Sequence, residues 1–431
     1  MSILPNWTVR TSGEIAPDER LPWPQTIAIG IQHVVAMFGS TALAPILMGF
    51  DPNTAIFFSG IGTLIFFVIT GGRLPSYLGS SFAFIAVVIA ATGFSGTGPN
   101  PNIPVALGGI VACGFVYALI GVIVHISGTA WVEALMPPVV TGSIVAAIGL
   151  NLAPVGVKNI SGGAFETVIG LITVLAVGLI AVRGRGIARR LPILLGAVVG
   201  YAAYWIGAGL LGLGKPIDFS GVAGAAWVGL PRLESPVFTA SAIVLIAPIA
   251  IILVAENLGH IKALAAMTGR DFDPLIGRAF LADGIATMVS GFGGGTGVTT
   301  YAENMGVMAV TKVYSTLLFV VAALFAILLG FSPKFGALIL TIPVPVIGGL
   351  ALVVFGLIAA TGGRIWVLNR VDFARARNLI TAGVALTAGA GDLTIKAGGF
   401  SLGGIGTATF GAILLYHLLG SRHPEDQGLA H

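Results

Sequence analysis

Apolar stretches of about 18 to 25 residues recur from Pro24 to Leu419 with only short polar breaks, and each is long enough to cross the roughly 30 Å hydrocarbon layer of a bilayer as a helix. The pattern predicts fourteen spans, over residues 24–48, 52–71, 77–93, 104–127, 131–155, 163–182, 191–213, 237–266, 277–294, 298–311, 313–332, 335–361, 378–393 and 402–420. The expected architecture is an all-α polytopic membrane protein, since a membrane barrel would show short alternating segments instead. The third and tenth spans are short and glycine-interrupted. There Leu78 to Phe82 and Val298 to Ala302 favour extended backbone, because β-branched, hydroxyl and aromatic residues cluster in them. Each extended piece should run into a half-helix whose free N–H groups and positive dipole end face the bilayer centre.

An internal repeat reinforces this picture. Gly60-Ile61-Gly62-Thr63 of the second span recurs as Gly284-Ile285-Ala286-Thr287 of the ninth. The fifth span, with Pro138, Thr141 and Gly142 leading to Gly149, resembles the twelfth, with Pro345, Gly348 and Gly349 leading to Gly356. Partners lie seven spans apart. An odd offset inverts the second half relative to the first, giving a 7+7 inverted repeat as in secondary transporters, with binding near the midplane at the broken spans. Chance likeness between glycine-rich helices is the competing explanation.

Composition agrees with a lipid environment: 9% of the 431 residues are charged and 56% hydrophobic, with a mean hydropathy of +1.00, too little polar surface for a soluble globule of this size. The 63 glycines and 23 prolines suit close helix packing and broken helices lining a cavity. With both termini on one side, 16 of the 21 basic residues fall on that side, among them Arg189, Arg190 and Arg422, and 5 on the other. The positive-inside rule then puts both termini in the cytoplasm. The net charge of +4 reflects those loops and points to no nucleic-acid partner. Cys113 alone builds neither a disulfide nor a thiolate metal site, and the polar, partly acidic start shows no signal peptide.

Ionisable residues inside the spans are few: His33, Glu256, His260, Asp283 and Glu303. A charge at the membrane centre costs at least about 2.5 to 3.5 kcal/mol, so such residues usually face a cavity and carry function. Glu256 and His260 are four apart and share one helix face, suited to holding and relaying a proton or, more simply, to an interhelical hydrogen bond. Glu303, beside Asn304, stands at the start of the tenth-span half-helix, to accept N–H donors from a ligand or merely to be satisfied by the dipole. Asp283 reads as a helix cap or bridge. His33, preceded by Gln32, either donates to Glu256 or packs. The run Gly291 to Gly297 lacks the Lys-Ser/Thr ending of a phosphate loop, and no catalytic or metal motif is present, so no enzyme or cofactor is expected.

These residues resemble the nucleobase-ascorbate transporter family, also called nucleobase:cation symporter-2. Its signature is met by Asn304, Gly306, Thr311 and Lys312, and its first-span Gln-His by Gln32-His33; the Tyr77 to Phe84 and Glu256 to His260 segments are similar to the bacterial uracil and pyrimidine permease branch. The likeness covers about Leu21 to Leu419. It implies an inner-membrane, proton-coupled nucleobase importer, commonly a homodimer. A core domain of residues 22–129 and 236–333 would move against a gate domain of residues 130–235 and 334–420, between cytoplasmic tails at 1–21 and 421–431. By the same resemblance Glu256 and Glu303 take uracil N–H groups, backbone N–H groups of Phe82 and Ala302 bind its carbonyls, Phe82, Tyr301 and Ser81 line the ring's slot, and His260 and His33 join Glu256 in proton coupling, with Asn304, Gln32 and Asp283 in support. Ala302 departs from the branch, which usually has Gly directly before this Glu. A purine carrier and an anion carrier of the same fold are the rivals; two acids at dipole ends would repel an anion.

Overall fold

The computed structural model describes residues 5–94, 98–185, 188, 191–397 and 400–420. The predicted C-terminal tail 421–431 with Arg422, the first four residues of the predicted N-terminal tail, and Arg189 and Arg190 lie outside the described residues. Two short strands, β1 (Thr8–Val9) and β2 (Glu19–Arg20), precede α1 (Trp23–Met48) and α2 (Pro52–Ile69). Then come β3 (Leu78–Ser80), α3 (Phe84–Thr92), α4 (Ile103–Ser127), α5 (Ala130–Leu135), α6 (Pro138–Ile160) and α7 (Ala164–Arg183). The chain continues through α8 (Pro192–Trp205), a π-helical turn over Ile206–Leu210, α9 (Ser220–Gly224), α10 (Ala240–Ile246) and α11 (Ile249–Thr268). Next are α12 (Ile276–Gly293), β4 (Val298–Thr300), α13 (Ala302–Thr311), α14 (Leu317–Gly330) and α15 (Pro333–Ile339). The last elements are α16 (Val344–Leu368), α17 (Ala376–Ala390), β5 (Ile395–Ala397), β6 (Phe400–Leu402) and α18 (Gly404–Leu418).

Among the described residues nine helices are long and apolar enough to cross a membrane, or ten if α14 and α15, bent by 89°, count as one. α3, α13, α17 and α18 fall short of that length. Several boundaries differ from the sequence pattern, and proline explains them. The span predicted to begin at residue 131 splits into α5 and α6 at Pro137-Pro138, because the first proline disfavours helix before it and the second suits a first turn. The predicted 335–361 span divides likewise into α15 and α16 around Pro343, and the predicted 237–266 span into α10 and α11 at Pro248. The β5–β6 hairpin and the parallel pairing of β1 with β2 were not predicted.

The chain divides into two compact units, Met1–Thr129 with Ala153–Val353, and Ala130–Leu152 with Val354–His431. In the first unit, α4 packs along α12 and α2 along α14. Both crossings exploit missing side chains: a Cβ on Gly60 would stand 2.6 Å from the Ala323 carbonyl of α14, and one on Gly284 would stand 2.3 Å from the Ala118 nitrogen of α4. So the two glycines of the sequence repeat make equivalent close approaches. In the second unit, the first half of α6 meets the second half of α16 in the same manner, where a Cβ on Gly149 would meet the Phe355 carbonyl at 2.4 Å. The Trp366 indole there donates to the Val139 carbonyl at 3.2 Å.

Candidate functional site

The two extended segments come together inside the first unit. β3 and β4 pair antiparallel, Leu78 with Thr300, Gly79 with Thr299 and Ser80 with Val298. The ladder continues at both ends, Ser81 N donating to Gly297 O at 2.9 Å and Tyr301 N to Tyr77 O at 3.0 Å. Backbone buried this deeply must be fully paired, and the helices behind the strands complete the pairing. Thr63 Oγ1 on α2 accepts from Leu78 N at 2.9 Å, and Thr287 Oγ1 on α12 accepts from Val298 N at 3.2 Å. The repeated threonines therefore do the same job, each anchoring the first residue of one strand. A Cβ on Gly79 would lie 2.5 Å from the Tyr301 ring, so only glycine lets the strands cross at this point.

Each strand runs into a half-helix. α13 starts at Ala302, which is exposed, and carries Glu303 in its first turn. Ser40 of α1 donates a hydrogen bond to the Glu303 carboxylate. Asn304 faces α1 too, its Nδ2 lying 3.0 Å from His33 Nδ1 and donating to His33 O at 3.1 Å. His33 is wholly buried with its ring 4.8 Å from that of Phe319. It therefore joins α1 to α13, so that of its two sequence readings the packing one describes it and the bond to Glu256 is replaced by the bond to Asn304. Gln32 Nε2, His33 Nε2 and Asn304 Oδ1 are buried with no hydrogen-bond partner among the described residues.

α11 forms the other wall. Glu256 is half-buried and its carboxylate makes no hydrogen bond to another described residue. One helical turn on, His260 Nδ1 lies 2.8 Å from Thr300 Oγ1 at the end of β4. Thr300 donates to Asn257 Oδ1 at 3.3 Å, and Asn257 Nδ2 donates to Asp283 Oδ2 at 2.5 Å and to the Tyr117 hydroxyl at 2.9 Å. Because the one threonine proton goes to Asn257, Nδ1 of His260 is the donor to Thr300, and Nε2 is the ring nitrogen left to gain or lose a proton. Asp283 is fully buried and bridges α12 to α11 and α4, its Oδ1 without a partner among the described residues.

On the β3 side Phe82 is half-buried, and Ser81 is buried with its hydroxyl accepting from Ala83 N at 3.3 Å. Tyr301 is buried as a brace between strands: its hydroxyl donates to Ser80 O at 2.8 Å and accepts from Thr41 at 3.1 Å. Sequence reasoning missed Ser40, Thr41, Asn257 and Thr300. Asn257 had a legible signal, a second strongly polar residue directly after Glu256 in an apolar helix. Ser40, Thr41 and Thr300 had none, since small hydroxyls are common in membrane helices. Among the described residues no group of His, Cys, Asp and Glu is arranged to hold a metal.

The profile of the Permease family matches residues 24–398, most of the chain. The chain belongs to that family. It is thus an integral membrane transporter and not an enzyme. Over 419 residues it is 63% identical to "Putative pyrimidine permease RutG" of Escherichia coli (strain K12), covering 96% of this chain and 95% of that one. It is 40% identical over 429 residues to a uracil permease of the same strain, covering 96% and 97%, and 34% identical over 421 residues to the uracil permease of Bacillus subtilis (strain 168), covering 93% and 94%. In fold it is similar to the transmembrane domain of a cyanobacterial bicarbonate transporter, BicA, with a TM-score of 0.64 at 15% identity, covering 91% of this chain and 96% of that one. The murine anion transporter Slc26a9 in its inward-facing state gives a TM-score of 0.65 at 14% identity, covering 91% and 68%.

Proposed function

We propose that this permease imports uracil, with thymine and related pyrimidines as further cargo, across the bacterial inner membrane in symport with a proton. The observation that carries the reading is the pair of acids, Glu256 on α11 with a carboxylate that bonds no other described residue and Glu303 in the first turn of α13, on helices that pack near each other beside β4. Uracil offers N–H donors alternating with carbonyl acceptors. Two carboxylates can take the donors, while the N–H end of α13 at Ala302 and the backbone at Phe82 take the carbonyls. A ligand that leaves these groups unpaired would bind far more weakly. The high identity to proteins named for pyrimidine and uracil supports this cargo. The cargo of the bicarbonate and anion carriers of similar fold does not transfer, because two carboxylates at the crossing repel an anion.

Uracil is neutral near pH 7, so accumulating it needs a coupled ion. One proton moved through 100 mV supplies about 2.3 kcal/mol, enough for roughly fiftyfold accumulation. In this reading Glu256 takes that proton on one oxygen with His260 beside it while its other oxygen still accepts a uracil N–H, and reorientation is favoured only when both proton and uracil are bound. The paired glycines and threonines of α2 and α12 support the inverted 7+7 repeat of fourteen segments, with the four shorter helices counted as spans. On that repeat a core of residues 22–129 and 236–333 holds the substrate and moves against a gate of residues 130–235 and 334–420. Both termini lie in the cytoplasm and the working unit is a homodimer.

The test is uptake of labelled uracil into proteoliposomes with and without an inward proton gradient, competed by unlabelled thymine and xanthine. Gradient-driven accumulation blocked by thymine and barely by xanthine is the expected result. Uptake of xanthine or of an anion in place of uracil would overturn the cargo while leaving the fold intact.

A further inference from the structure

The polar segment ahead of α1, expected to be a simple tail, is docked. Ile15 is 1% exposed and shares an apolar cluster with Leu21, Val313 and Leu318. Its backbone bridges the connection that follows α13: Ile15 N donates to Lys312 O at 3.0 Å, Tyr314 N to Ile15 O at 2.8 Å and Thr316 N to Pro17 O at 3.1 Å. The Trp7 indole donates to Thr316 Oγ1 at 2.9 Å and stacks on Phe67 of α2 with ring centroids 6.0 Å apart. Asp18 pairs with Arg270, just past the end of α11, at 2.6 Å. The segment is held in shape by the β1–β2 pairing and by Arg10 with Glu19 at 3.2 Å.

One segment therefore touches the ends of three elements that build the site: α11 with Glu256, α13 with Glu303, and α2, which anchors β3. The contact at α13 is made where the helix is strained. Lys312, its C-terminal cap, sits at a φ of +57°, a conformation that costs a non-glycine residue on the order of 1 kcal/mol or more and persists only when its surroundings hold it. The Ile15 hydrogen bond to the Lys312 carbonyl and the burial of Val313 under Ile15 supply that hold.

We propose that residues 7–21 are a clamp, and that Ile15 is a positioning residue that fixes the half-helix carrying Glu303 relative to α11. The clamp sets substrate affinity from outside the binding site. α13 is only ten residues long, so a tilt at its C-terminal cap is passed to its first turn, and a displacement of about 1 Å at a binding group is enough to lose much of its contribution. The inference rests on Glu256 and Glu303 being the substrate pair.

Ile15→Ser in the full-length protein, reconstituted in proteoliposomes, is expected to raise the KM for uracil about tenfold with the maximal rate within about twofold, while Ile15→Val keeps the KM of the parent. A KM unchanged in Ile15→Ser, whether or not its thermal stability falls, would overturn the clamp and leave a mere tether. Glu256→Gln run alongside separates the two readings: retained uracil binding in that variant would overturn the site itself, whereas lost binding there with an unmoved KM in Ile15→Ser sinks the clamp alone. Should Ile15→Ser fail to fold, hydrogen exchange on the unaltered protein decides. By reciprocity of coupling, uracil should slow exchange in residues 7–21 together with residues 302–312; slowing confined to 302–312 would contradict the proposal.

Discussion

The two broken segments are built to one plan and loaded differently. Both begin with a residue anchored by a threonine one helix back, Leu78 by Thr63 and Val298 by Thr287, and both run through a three-residue strand into a short helix. Counting on from those anchors, Phe82 corresponds to Ala302 and Ala83 to Glu303. The β4–α13 segment carries Thr300, Glu303 and Asn304, all bonded to α1 or α11. The β3–α3 segment offers Ser80, Ser81 and then an apolar helix. The scaffold is duplicated, but the ionisable chemistry sits in one copy, so the other contributes backbone and shape.

Glu303→Gln should weaken uracil binding by about a hundredfold, since a hydrogen bond to a charged group is worth up to about 3 kcal/mol, while Ser81→Ala in the other segment changes it less than about threefold; equilibrium binding of labelled uracil measures both, and equal losses would erase the asymmetry. Next in size are the glycines at the crossing. Gly79→Ala drives a Cβ into the Tyr301 ring at 2.5 Å, and Gly297→Ala drives one into the Phe84 ring at 2.2 Å. Each should cost about 1 to 3 kcal/mol by overpacking, seen as a drop in thermal unfolding temperature. Phe84→Leu should recover much of the second loss and none of the first. Smallest are the anchors: Thr63→Val and Thr287→Val should each lower stability by about 1 kcal/mol through one unpaired strand N–H. Similar values would sharpen the claim of a shared plan, and a large inequality would blunt it.

Much of this scaffold was legible because it depends on local pattern. β-branched and small residues before Ala302 marked an extended piece, and the Gly-Thr recurrence marked the anchoring helices. The four-residue spacing of Glu256 and His260 put both on the α11 face that meets β4. What stayed hidden depends on which faces meet. His33 bonds Asn304 rather than Glu256 because α1 packs on α13, which no spacing within α1 reveals. Thr300 and Asn257 link His260 to Asp283 only because α11, β4 and α12 converge. The docked segment before α1 escaped because one buried isoleucine in a polar stretch carries no periodicity.

The most direct test of the central claim, that both carboxylates accept N–H donors of one small ring, is the equilibrium dissociation constant of the purified transporter for uracil, 1-methyluracil and 3-methyluracil. Each methyl removes one donor. Both methylated ligands should bind at least about a hundredfold more weakly than uracil, whereas either one binding as tightly as uracil would contradict the two-acid site.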